Sequence, residues 1–100
     1  MSEQCIKVRF SYPSSDLSEL FQLEEQLTAA IARAGVGEFD GNEVGGGEAE
    51  LFMYGPSADQ LFQAVHPTLL AHPLSRSGSV LVRYGPPGSS EHAVALSSSE

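Results

Sequence analysis

The side chains with the most chemical potential are concentrated in the stretch "GEFDGNEVGGGEAELFMYG", residues 37–55, where Glu38, Asp40, Glu43, Glu48 and Glu50 flank three consecutive glycines. Clustered carboxylates are what Ca²⁺ or Mg²⁺ requires, and a glycine-rich backbone can cradle phosphate. A phosphate loop, however, delivers its anion to a helix N-terminus, usually with a Lys and a Ser or Thr close by. Here Gly45, Gly46 and Gly47 lead into Glu48–Tyr54, which alternates apolar and polar residues as a strand does. The glycines are therefore expected to form a primed hairpin turn. Strict alternation would place Glu38, Asp40 and Asn42 on one side of the first strand and Glu43 on the other, and the spacing matches no calcium loop. The acids are expected to protect an edge strand from aggregation, with no metal and no cofactor bound.

Other candidates for chemistry are sparse. His66, His72 and His92 show no pair with the i, i+4 spacing of a helical zinc motif. Cys5 is the sole cysteine, so an internal disulfide and a thiolate cluster are both excluded, and a small packing role is expected. The serines form no G-x-S-x-G elbow and fall in caps, turns and the tail. No enzymatic activity is expected.

Composition narrows the partners. The 100 residues, 41% of them hydrophobic, are expected to form a single domain over residues 1–100, frayed from about residue 97. Five basic residues against thirteen acidic ones give a net charge of −8, which disfavours nucleic acid and anionic membrane surfaces alike. The N-terminal residues carry neither a basic nor an apolar leader segment, and no apolar run approaches the roughly 18 residues of a membrane span. A soluble, cytoplasmic protein is expected.

The elements that must position these residues follow from periodicity. Cys5–Tyr12 alternates as a strand, with Ile6, Val8, Phe10 and Tyr12 on one side. Asp16 and Glu19 predict a capping box for a helix whose buried stripe is Leu17, Leu20, Leu23, Leu27, Ile31 and Ala34, ended by Gly35. The acidic hairpin follows, with Asp40-Gly41 as a candidate bulge. Ser57 and Gln60 predict a second capping box, for a helix on which Ala58, Leu61, Phe62, Val65 and Leu69 share a face. Pro67 is expected to kink or break that helix near His66, and His72-Pro73 to end it. Ser79–Tyr84 reads as a strand, Gly85–Gly88 as a turn, and Glu91–Leu96 as a short additional strand. The order β-α-β-β-α-β predicts an α+β, ferredoxin-like split βαβ sandwich: an antiparallel sheet with two helices on one face and an extra C-terminal strand.

The run "GEFDGNEVGGGEAELFMYGPSADQLFQAVHPTLL", with "VLVRYGPP", resembles a group of small bacterial proteins of uncharacterised activity that carry a pattern near FDG-x-E-V-G-x-G-x-A-x-L-x-x-Y-G-P-x-A-D-x-L followed by L-R-Y-G-P-P. The resemblance covers most of residues 37–87. It implies a small stand-alone protein and transfers no functional residue, although Asp40, Glu43, Tyr54 and Arg83 belong to the shared pattern.

The sheet face away from the helices is the strongest candidate surface. With Ile6, Val8, Phe10, Leu51, Met53, Val80 and Val82 inward, the alternating positions Lys7, Arg9, Glu50, Phe52, Tyr54, Leu81 and Arg83 share the outer face. A merely solvated face would show cross-strand ion pairs. An interaction face would combine exposed aromatics with arginine. Two functions follow: a non-catalytic module that forms a homodimer or binds another protein through this face, or a small-molecule or divalent-metal sensor using the acidic hairpin or the basic outer positions.

Overall fold

The computed structural model describes residues 3–96; the expected fraying from about residue 97 lies outside the described residues. Elements follow in the order β1 (Gln4–Ser11), α1 (Ser18–Ala34), β2 (Glu38–Gly45), β3 (Glu48–Gly55), α2 (Ala58–Ala71), β4 (Ser79–Arg83) and β5 (Glu91–Ala95). They form one five-stranded sheet in the order β2-β3-β1-β4-β5, every neighbouring pair antiparallel. The fold is α+β with the expected split β-α-β-β-α-β arrangement, extended by β5 at the edge beside β4. Each crossover skips one strand position, so β1 and β4 become the sheet's interior, with β3 between β1 and β2.

The centre of the covered face of the sheet is apolar. Ile6, Val8 and Phe10 of β1, Ala49, Leu51 and Met53 of β3, and Val80 and Val82 of β4 are buried against Leu20, Leu23, Leu27 and Ile31 of α1 and Ala58, Leu61, Val65 and Leu69 of α2. Burying one such aliphatic side chain stabilises by roughly 1.5–3 kcal/mol before entropy is counted, so this layer dominates the fold's stability. The expected stripe of α1 is trimmed at both ends: Leu17 precedes the helix and is exposed, as is Ala34.

Several local signals act as expected and others are replaced. The expected Asp16–Glu19 capping box does not form. The Asp16 carboxylate instead accepts the backbone N–H (3.0 Å) and hydroxyl (2.8 Å) of Ser18, which hold its pKa below the ordinary value, and α1 begins at Ser18. At α2 the Ser57 hydroxyl does accept the Gln60 N–H, at 3.3 Å, and the Gln4 side chain from β1 accepts the Ala58 N–H at 2.8 Å. Pro67 does not break α2, which runs on to Ala71. Pro67 and Gln63, whose carbonyl loses its helical donor, both lie on the solvent side, where water can replace the missing bond.

Gly46 and Gly47 form the two-residue turn between β2 and β3, with φ of 62° and 82°. Positive φ at both positions is the primed geometry that matches strand twist, and only glycine adopts it without cost. The Asp40-Gly41 bulge is present, as a register shift between Phe39 and Gly41.

Candidate functional site

All seven outer-face positions stand where alternation places them. Tyr54 and Arg83 flank Cys5, Phe52 and Leu81 flank Lys7, and Glu50 and Ser79 flank Arg9, in three successive rows across β3, β1 and β4. No element of the described residues covers this side of the sheet.

The bulge changes what lies beside these rows. One extra residue in β2 shifts its side-chain phase, so Glu38 pairs with Tyr54, Gly41 with Phe52 and Glu43 with Glu50. Glu43 therefore joins the open face, contrary to uninterrupted alternation. Asn42 pairs with inward-facing Leu51 and donates to the Glu24 carboxylate of α1. Asp40, Gly41, Glu43, Phe52 and Tyr54 line a shallow depression of about 430 Å³; Arg9, Glu43, Glu48 and Glu50 line another of about 500 Å³. A third, of about 230 Å³, opens between Lys7, Arg9, Leu81 and Ala93. Among the described residues, no group of three or more Asp, Glu, His or Cys side chains is arranged to hold a metal ion.

The face is engaged with itself. Arg9 bridges to Glu50 at 3.2 Å and to Glu48 at 3.5 Å, and its side chain is 57% exposed. Exposed pairs of this kind contribute about 0–1 kcal/mol each and exchange readily. The Lys7 ammonium lies 5.7 Å from the centre of the Phe52 ring, within cation–π range. Arg83 donates from Nε to the Gly85 carbonyl at 2.8 Å. Phe52, Tyr54 and Leu81 are half-buried and do not stand free.

Cys5 occupies an outer-face position yet is only 2% exposed, so it packs as expected but on the open side. Burial raises its pKa above the ordinary 9.0, opposed by Arg83 nearby. Burial likewise raises Tyr54, with Cys5 and Asp40 adding to the shift. The thiol is consequently a protonated packing group at neutral pH, lacking the depressed pKa of a nucleophile.

The histidines are dispersed. His66 stacks on Phe62 with ring centres 4.6 Å apart; His72 is buried and accepts the Leu74 N–H through Nδ1 at 3.1 Å; His92 is exposed on β5.

Two features were missed in the sequence. The Tyr84 hydroxyl donates to Asp59 at 2.8 Å, joining the residue after β4 to the start of α2, a pairing between distant residues with no local signal. The outward flank of α1 also carries an apolar depression of about 430 Å³, lined by Phe21, Thr28, Ala29, Ala32 and Phe39 with Glu24 and Glu25. The spacing of Phe21, Glu25, Thr28 and Ala32 could have revealed that flank, had α1 been read for a second stripe.

Comparisons with protein-family models, curated proteins and solved structures find no match. No helix of the described residues is long and apolar enough to cross a membrane.

Proposed function

We propose that this chain is a non-catalytic interaction module that associates with a second copy of itself through the open sheet face. It would act in the cytoplasm, as a member of the small bacterial group that its glycine hairpin resembles. The observation carrying this reading is the lengthwise division of the face by charge. Glu38, Asp40, Glu43, Glu48 and Glu50 occupy the β2–β3 half, whereas Lys7, Arg9 and Arg83 occupy β1 and β4. A two-fold axis near the middle of the face lays the acidic half of one copy over the basic half of the other, as an isologous interface requires. Phe52, Tyr54 and Leu81 then supply the apolar centre, and the exposed Arg9 pairs can be exchanged for contacts across the interface.

Sedimentation equilibrium over a range of protein and salt concentrations tests this. The expected result is self-association that weakens with salt, as paired exposed charges do. The double substitution Phe52→Ser and Arg9→Ser should weaken it at least about tenfold while the chain stays folded. Association unchanged in the folded double variant overturns the reading, as does a wild-type chain that remains monomeric at high concentration.

A further inference from the structure

The two edges of the sheet are built differently. The β2 edge is eight residues long, interrupted by the Asp40-Gly41 bulge, and carries Glu38, Asp40 and Glu43. Bulges and charges are the usual devices that stop an edge pairing with another chain. Glu91–Ala95 at the opposite edge has neither a bulge nor a proline, and Glu91 is its sole acid. Among the described residues no helix lies alongside β5 and no strand pairs with its outer edge.

Hydrogen bonding shows which β5 groups are free. The Tyr84 N–H donates to the Ser90 carbonyl at 3.0 Å and the Leu96 N–H to the Gly78 carbonyl at 2.9 Å. In an antiparallel pair the bonded positions alternate, so Ser90, His92, Val94 and Leu96 turn their backbone groups toward β4. Glu91, Ala93 and Ala95 turn theirs outward, with no strand of the described residues beyond them.

We propose that β5 pairs antiparallel with β5 of a second copy about a two-fold axis at Ala93, joining two sheets edge to edge. In that register Ala93 opposes its own equivalent and Glu91 opposes Ala95, so every outward-pointing residue meets another outward-pointing residue and exchanges N–H···O=C bonds with it. The small side chains of Ala93 and Ala95 permit close approach, His92 stands across from Val94, and no acid faces an acid. Self-pairing of β2 would instead crowd three acids of each copy along one seam and would have to accommodate the bulge twice. The axis is perpendicular to the sheet, so both open faces remain on one side. This contact is therefore separate from the face-to-face association proposed above and does not rest on it.

Assembly mass and amide exchange test the proposal on the whole chain. Ala93→Glu sets two carboxylates against each other at the axis, and Ala93→Pro removes an N–H that points away from β4. Both are expected to fold, and each should weaken the edge contact at least about tenfold. In the wild type the Ala93 and Ala95 amides should become protected from exchange as concentration rises, although they occupy an outer edge. Where both contacts exist, the two axes do not meet, so the wild type grows into open-ended assemblies, and Ala93→Glu or the Phe52/Arg9 double variant reduces these to dimers. Where the edge contact alone exists, the wild type is a dimer, Ala93→Glu is a monomer and the double variant leaves the mass unchanged. Folded Ala93 variants that assemble like the wild type overturn the proposal, as does Ala93 amide exchange that does not change with concentration. Unfolding of Ala93→Pro overturns it too, because that N–H would then belong to the ladder with β4.

Discussion

Leu51 and Phe52 are consecutive on β3, yet one is sealed beneath the helices and the other lies half-exposed beside Lys7. The same contrast holds for Ile6 against Lys7 and for Val82 against Arg83. On the covered face the residue type is dictated by the exclusion of water, and aliphatic and aromatic chains fill the buried positions. On the open face, charges, aromatics and a buried thiol are combined with no helix to pack against. Most of the stability therefore resides on the covered face.

Substitutions can break this comparison. Leu51→Ala should have the largest effect, about 2–5 kcal/mol of lost stability, measured by chemical denaturation, because it leaves a cavity in the closed layer. A cost like that of an exposed leucine would mean that the helices do not seal this face. Gly55→Ala should cost about 2–3 kcal/mol, since a Cβ there would stand 2.2 Å from the Val36 carbonyl oxygen, a backbone atom with little room to retreat. Gly46→Val tests the hairpin alone. With φ of 62° and open space around it, the expected cost of about 1–2 kcal/mol is conformational, not steric. An unchanged midpoint would show that the turn has another geometry. Phe52→Ala, under conditions where the chain is monomeric, should cost under about 1 kcal/mol, because the ring is half-exposed and loses little beyond the Lys7 contact. A loss as large as that of Leu51→Ala would erase the distinction between the faces.

The smallest expected effect is a pH dependence on the open face. Burial raises the Cys5 pKa above 9.0, so the folded state holds its proton where the unfolded chain has released it. The stability contributed by this neutral thiol is fully present below the unfolded pKa and is lost as pH rises through the folded one. Cys5→Ala should therefore flatten part of the stability loss above about pH 9, a window bounded below by the ordinary thiol value. An equally steep loss in the variant would place the thiol in water.

Periodicity by itself determined most of the architecture. Period-two runs located the strands, period-three-or-four stripes located both helices, and glycine and proline marked the boundaries, because each signal is carried by residues adjacent in the chain. The seven open-face positions were legible for the same reason, since alternation along β1, β3 and β4 is uninterrupted. Their engagement was not: the Arg9–Glu48 and Arg9–Glu50 bridges and the Lys7–Phe52 contact depend on cross-strand register. The Asp40-Gly41 bulge was visible, but its consequence emerged only from the pairing of β2 with β3, which moved Glu43 onto the open face and turned Asn42 toward Glu24. A one-residue shift reverses every side chain beyond it, and only the partner strand decides whether the shift occurs. Tertiary structure likewise brought Gln4 to the Ala58 amide and Asp59 to Tyr84, pairs far apart in sequence whose proximity requires the assembled sheet. It also let α2 continue through Pro67, because that residue faces solvent and the carbonyl deprived of its donor can be hydrated.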